Sequence, residues 1–478
     1  MEFSGGWAGI QEGRYCRVAN ENLFDDKNVE IMDDNVDFDS LSGSTEDSIV
    51  TFEDPTEADE NQMAIDVPDN CANSMTSTEF VQSIPSLTKH HGDITWEDYQ
   101  NGVDMQGIDL AMLGFSCRDT YRMHNAQSVY LPGLCMDHPR LSWFTPSDAE
   151  FFSFNYSTRR VSCSIGHTQL RHLVVSTSQH DVYAMCKNSI MHWNASRRKE
   201  SSVLNMSSPE VTSRGLRHMT VTTIAAIENL VMAGGLHGEV VVKDLNRNSI
   251  VFADHISTRS DPITNAIDCH WSPQGQLVMM TSNNDGKIRM FDTESFSVFN
   301  TIRMGFAVNH ATRQPNGGKL LCVAGDHEDG RLVDVDTGKP EVILRGHIRN
   351  MFATAWHPDG SIIATGNEDN TCRIWDVRNP ARQLGPCLPG FFGAIRSLRF
   401  TNDGKFLIMS DNSDYVYIYL VGDMDFQRKQ EIDLFGLVSG VTVSPDDELL
   451  TVGVVHKAAG RLLEFERKDW RKSSSCLI

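Results

Sequence analysis

A histidine, a hydroxyl and a carboxylate fall in one short stretch at His347, Thr365 and Asp369, with Trp375 and the pair Asp376 and Arg378 close behind. These are the residue types from which a proton relay to a nucleophile is built. No motif that would place such a relay accompanies them. The chain has no G-x-x-x-x-G-K-[ST], no G-x-S-x-G, no H-E-x-x-H, and no G-x-G-x-x-G set between a strand and a helix. The adjacent His90 and His91 lack acidic or Cys partners at metal-ligand spacing. The 11 cysteines are odd in number and scattered, with no C-x-x-C pair, which excludes a disulfide scaffold and a zinc finger. The sequence therefore predicts no enzyme, no catalytic residue, no metal and no cofactor.

Charge narrows the partners. The chain carries 64 Asp+Glu against 42 Lys+Arg, a net −22. Residues 1–110 hold 25 acids and 4 bases, while residues 111–478 hold 39 and 38. Nucleic-acid backbones and anionic lipid both want clustered Lys and Arg, so other proteins are the expected partners. No apolar run reaches the ~18–20 residues that span a bilayer. The start has no basic-then-apolar signal pattern, and Cys476 stands third rather than fourth from the end, against prenylation. With the cysteine usage, nucleus and/or cytoplasm is the expected location; Arg197-Arg198-Lys199 and the bases of 467–472 are weak import candidates.

The acidity belongs to residues 1–103, which show no sustained periodicity and read as a disordered tail kept open by self-repulsion. Phe24, Phe38 and Phe52 sit among its acids, a pattern suited to short partner-binding motifs. Ser44, Thr51 and Thr56 each have Asp three residues downstream, which suits an acid-directed kinase. Residues 104–147, with Ile108, Met112 and Phe115 on one face, read as a strap packing on the next domain.

That domain, 148–467, is built from a repeat. Small turns recur at 272–275, 315–317, 357–360, 401–404 and 444–447, and their equivalent residues Gly275, Gly317, Gly360, Gly404 and Asp447 are spaced 42, 43, 44 and 43 apart. Phe291-Asp292, Val333-Asp334 and Trp375-Asp376 keep step at intervals of 42. The unit Gly346–Arg378, with its Gly-His opening, Pro-Asp-Gly turn and Trp-Asp ending, resembles the WD40 repeat. Weaker units lie at 166–194, 221–245, 263–292, 308–334, 393–420 and 438–466, seven in all. The leader and the run from FFSFNYSTRR to HWN also resemble a group of plant and fungal WD-repeat proteins with an acidic N-terminal tail.

The resemblance implies an all-β fold, a seven-bladed WD40 β-propeller preceded by the long acidic, largely disordered region. The propeller should be monomeric, with Phe151 to Thr158 completing the last blade and 468–478 trailing as a C-terminal tail. It implies that His347, Thr365, Asp369 and Trp375 form a structural hydrogen-bonded tetrad rather than a catalytic triad. Phe291 and Val333 replace Trp in other units, and Phe306, Phe392 and Phe435 fall near the position of His347. Those blades are expected to pack apolar groups in place of the tetrad. Phe391 and Phe392 are the candidates for exposed anchors on the face that bears the tetrad loops.

Three functions remain open. The broadest is a non-enzymatic protein-interaction scaffold. A narrower one follows from Ile363 to Arg378, which resembles the box of WD40 substrate receptors of cullin-4-type RING ubiquitin ligases; it implies that Asp376 and Arg378 contact the ligase adaptor. The third is a binder of histones or other basic proteins through the acidic tail.

Overall fold

A computed structural model describes residues 92–115, 118, 149–217, 219–257, 261–391, 393–422, 426–457 and 459–469. All of them fall in one compact unit, 71–478. Most of the expected tail, much of 104–147, Phe392 and residues 470–478 lie outside the described residues.

Seven blades arise from the repeat. Five antiparallel four-stranded sheets span 174–205, 221–255, 264–303, 308–344 and 351–389, and these are blades 1 to 5. An eight-stranded sheet holds the other two. Blade 6 comprises Ser397–Phe400, Phe406–Ser410, Ser413–Leu420 and the first half of Lys429–Val443. The second half of that long strand opens blade 7, followed by Leu449–Val455 and Arg461–Arg467. Its outer strand is Phe152–Thr158, from before blade 1, with Phe154 opposite Phe465. Consecutive inner strands are neighbours around the ring, and that of blade 7 returns to Val174–Ser176 of blade 1. There the Leu173 N–H donates to the Ser439 carbonyl at 3.3 Å. A side chain at Gly440 would meet the Val174 nitrogen at 2.8 Å, so this closure requires glycine.

The repeat markers have a backbone cause. Gly275, Gly317, Gly360, Gly404 and Asp447 have φ of 80°, 73°, 76°, 70° and 63°, the left-handed region that L side chains avoid. Asp447 takes that strained position and uses its carboxylate to accept the N–H groups of Asn402 and Asp403, both at 2.8 Å, tying blade 7 to blade 6.

A second periodic device lies on the inner strands. The register shifts between Val221 and Thr223, Thr264 and Ala266, Val308 and His310, Met351 and Ala353, and Val438 and Gly440. Each bulge leaves one residue out of the ladder and re-aims its side chain. In blades 2 to 4 the freed residues are buried and polar, and each donates to the next blade's inner strand. Thr222 reaches the Thr264 carbonyl at 2.6 Å, Asn265 the Val308 carbonyl at 2.8 Å, and Asn309 the Met351 carbonyl at 2.9 Å. Phe352 ends the series and instead carries the Arg396 guanidinium 4.1 Å above its ring.

The strap begins earlier than residue 104. Ile94–Thr95 adds a fifth strand to blade 7, pairing with Ser157 and Tyr156. Thr95 then caps the helix Trp96–Gln100 through a capping box with Asp98. Next, Gln106, 0 % exposed, uses its full hydrogen-bonding capacity. Its Nε2 donates to the carbonyls of Phe435 and Ala459, both at 2.9 Å, and its Oε1 accepts from Phe435 N–H at 2.8 Å and from Arg118 at 2.9 Å. The buried Arg461 reaches back to the carbonyls of Gln106 and Gly92 at 3.0 and 2.7 Å.

Candidate functional site

Blade 5 positions the residues with which the sequence reading began. Its strands are Met351–Trp356, Ile362–Asn367, Thr371–Asp376 and Leu388–Pro389. His347 precedes the inner strand, Asp369 sits in the turn between the second and third strands, and Thr365 and Trp375 lie on those strands. One chain of hydrogen bonds joins all four. Trp375 Nε1 is 2.8 Å from Thr365 Oγ1, His347 Nε2 is 2.9 Å from the same oxygen, and His347 Nδ1 is 2.9 Å from Asp369 Oδ2. An indole can only donate, so Thr365 accepts from Trp375; the Asp369 carboxylate can only accept, so the neutral His347 ring gives it the Nδ1 proton and accepts the Thr365 proton at Nε2. The imidazole therefore carries its proton on Nδ1 and donates it to Asp369. Burial pushes the Asp369 carboxyl up, but hydrogen bonds from His347, Thr371 and the Ile348 N–H together hold it below its usual value.

This arrangement is built to stay put. Thr365 is fully buried with its oxygen already engaged by the indole, so no substrate carbonyl could approach it. Among the described residues no three His, Cys, Asp or Glu side chains gather in a way that could hold a metal ion.

At the far end of the third strand, Trp375 is buried and pins the strand, while Arg378 leaves it with its side chain 75 % exposed. Arg378 folds back on Asp376 as a two-pronged pair, Nε to Oδ1 at 2.9 Å and Nη2 to Oδ2 at 2.7 Å. The hydrogen bond from Arg378 holds the Asp376 carboxyl below its ordinary range. Strand direction puts this pair on the face opposite the tetrad loops.

Phe391 is half-buried. Its ring packs edge-on against Tyr415 with centroids 5.8 Å apart, and its N–H donates to the Tyr417 hydroxyl at 2.9 Å. It is thus a lining residue of blade 6, not a freely projecting anchor. Phe435 is buried beneath Arg118 of the strap, 4.7 Å from the ring centre. Phe306 packs against Arg331 in the same way, at 4.7 Å.

Blade 3 departs from the apolar substitution expected for it. Phe291 is buried in the Trp position, yet a polar network persists around Asp285. That carboxylate pairs with Arg289 at 2.5 Å and accepts from Ser257 at 2.8 Å, and Arg289 also reaches Asn283 at 3.1 Å. Burial raises the Asp285 carboxyl, and the Arg289 and Ser257 contacts together bring it below its usual value. The signal was present, since Asp285 lies two repeat steps before Asp369.

Ile348 and Trp271 are among the exposed apolar side chains that the sequence pattern does not mark. Ile348, directly after His347 on the tetrad face, is 73 % exposed, and Trp271, beside the turn of blade 3 on the opposite face, is 51 % exposed.

Comparison with known proteins agrees with the geometry. The WD domain, G-beta repeat family matches residues 251–292 and 338–376. The chain is 34 % identical over 186 residues to the target of rapamycin complex subunit wat1 of Schizosaccharomyces pombe, covering 38 % of this chain and 58 % of wat1. It is 28 % identical over 107 residues to the target of rapamycin complex subunit LST8 of Saccharomyces cerevisiae, covering 22 % of this chain and 35 % of LST8. It is 30 % identical over 156 residues to coronin-7 of Mus musculus, covering 31 % of this chain and 16 % of coronin-7. The chain thus spans less than two thirds of each of these relatives. A chain in a crystal structure of the mitotic checkpoint complex superposes with a TM-score of 0.54 over 68 % of this chain and 95 % of that one, at 15 % identity, which speaks to the fold alone. Repeats, blades and relatives agree: the chain carries WD40 repeats and folds as a seven-bladed β-propeller.

Proposed function

We propose that this protein is a non-enzymatic scaffold that joins other proteins into an assembly. WD40 propellers are typically non-catalytic interaction platforms, though fold alone never fixes function. Two of the relatives are, by their names, subunits of a target of rapamycin complex, which supports a subunit role here as well. Within that reading, the protein docks through Asp376 and Arg378 onto the adaptor of a cullin-4-type RING ligase. The observation that carries this is the exposed, preorganised Arg378 fork beside a buried Trp375. A guanidinium already held on a carboxylate loses little freedom when a partner's acceptors approach its open edge.

The test is capture of that adaptor by wild type and by Arg378→Ala, with melting temperatures in parallel. Folding should be unchanged, because exposed charge substitutions move stability by only about 0.5 kcal/mol. Capture should fall more than about tenfold. Equal capture by the mutant, or none by wild type, sinks the ligase role and leaves the scaffold reading standing. A second reading rests on the 25 acids against 4 bases of residues 1–110: this segment draws basic proteins such as histones by long-range attraction, and such binding collapses as salt is raised.

A further inference from the structure

The seven inner strands surround a central channel, a cavity of about 340 Å³. Arg, His and Asp side chains line it: Arg171 and His172 from the segment entering blade 1, Asp268 from blade 3, His310 from blade 4 and Arg399 from blade 6. Arg399 is the one exposed position on the strand Ser397–Phe400, whose other residues are buried. Among the described residues, no hydrogen bond or ion pair holds its guanidinium. Arg171 spends its hydrogen bonds on neutral acceptors, the carbonyls of Leu170 and His167 at 2.9 and 3.1 Å and Asn412 Oδ1 at 2.8 Å. The channel thus holds two guanidinium groups and one carboxylate, Asp268, whose charge acts on Arg399.

The histidines add donors without adding charge. Their rings stack with centroids 4.4 Å apart. His310 Nδ1 accepts the Thr354 N–H at 3.1 Å, so its proton sits on Nε2 and that edge can donate. The Thr354 hydroxyl lies 3.4 Å from the same Nδ1 and 2.9 Å from the hydroxyl of Thr312. A guanidinium with no acceptor within hydrogen-bond distance in a confined site attracts an oxyanion, whose oxygens match its planar fork. The inner strands enclose the space on all sides, which admits a small molecule rather than a folded partner.

We propose that the channel is a binding site for a small phosphorylated metabolite, with Arg399 as the charge partner of its phosphate and His310 Nε2–H as a neutral donor. This is separate from the scaffold function and does not depend on it. Asp268 sets the pH dependence. Burial pushes its carboxyl up to about 6, against smaller opposing effects of the hydrogen bond from the Cys269 N–H and of Arg399. Burial, with Arg399 nearby, holds His172 down at about 4, and burial, His172 and Arg399 hold His310 well below its usual value. Around neutral pH the Asp268 charge opposes an anion, and protonating it on mild acidification removes that opposition while both histidines stay neutral.

The probe is inorganic pyrophosphate, titrated calorimetrically into the full chain at low salt and about pH 7.5. Wild type should bind at one site, and Arg399→Met should weaken binding at least about tenfold. Asp268→Asn should tighten binding at the same pH, a gain that no merely structural role predicts. Sulfate, whose charge is constant over the range, should bind wild type more tightly at about pH 5.5 than at about pH 7.5, and Asp268→Asn should lose that difference. Absence of pyrophosphate binding to wild type, or equal binding by Arg399→Met, overturns the proposal. If Arg399→Met does not fold, Asp268→Asn decides alone, with unchanged or weaker binding overturning it.

Discussion

At the scale of single residues, blade 5 shows how a donor-only group at one end and an acceptor-only group at the other order a polar chain. The Asp369 carboxylate takes the Nδ1 proton of His347, which leaves Nε2 to accept from Thr365, whose oxygen accepts from the Trp375 indole. The depressed Asp369 carboxyl makes this a pH-dependent contribution to stability. A carboxylate whose pKa is lower folded than unfolded adds stability that is present above its unfolded value, about 3.9, and that is lost as pH falls through the folded value. Asp369→Asn should therefore be less stable than wild type at neutral pH, and the gap should shrink as pH drops below about 4. Denaturant melts of both proteins across that range check it; a gap that stays constant would mean that the charge of Asp369 contributes nothing. The tetrad was legible because the repeat resemblance maps it residue by residue. The Asp285 network was not, because blade 3 keeps the Asp but carries Phe291 where the repeat resemblance has Trp.

At the scale of elements, the inner-strand bulges matter most. Thr222, Asn265 and Asn309 are each freed by a bulge and each tied to the following blade, so neighbouring sheets are joined by directional bonds as well as by apolar packing. Asn265→Ala removes the bonds to the Val308 carbonyl and to Asn284, the latter 2.6 Å long, and strands buried acceptors. The expected cost is about 1–3 kcal/mol. Hydrogen exchange should localise the loosening to blades 3 and 4. Uniform loss of protection around the ring would contradict a local tie. The turn glycines were readable from sequence because left-handed φ leaves few alternatives to glycine. The bulges were not, since the inner strands are buried on both faces, Met351–Trp356 along its whole length, and so carry no alternation for a register shift to break. The strap's start was missed for a similar reason: Ile94–Thr95 and Trp96–Gln100 are too short to show a period.

At the scale of the whole molecule, seven blades and the closing strand Phe152–Thr158 followed from the repeat count, because a ring of blades has to be closed by something. The channel cluster could not be read this way. Its members are scattered from Arg171 to Arg399 and meet only once the ring exists. The strap makes a matching prediction about size. A protein beginning at Gly92 should melt like the full chain, whereas one beginning at Ala149 loses Gln106 and its four hydrogen bonds to blades 6 and 7 and to Arg118. It also strands the buried guanidinium of Arg461, whose acceptors are the carbonyls of Gln106 and Gly92. The shorter protein should be several kcal/mol less stable, on the order of 3–5. Equal melting temperatures would show that the strap decorates the propeller without supporting it.

Ring closure also imposes an order in time. Phe152–Thr158 leaves the ribosome long before its partner Arg461–Arg467, and at about 5–20 residues per second the wait is roughly 15–60 s. Through that interval Phe151, Phe152 and Phe154 form an apolar, unpaired edge of the kind that recruits chaperones or aggregates. Gln430 arrives before the final partner, and its side chain accepts the N–H groups of Phe151 and Phe152 at 2.7 and 2.9 Å while donating to the Phe152 carbonyl at 2.6 Å. A nascent chain can thus park its first strand against blade 6, shielding the phenylalanines, and release nothing sticky while the last blade is still being made.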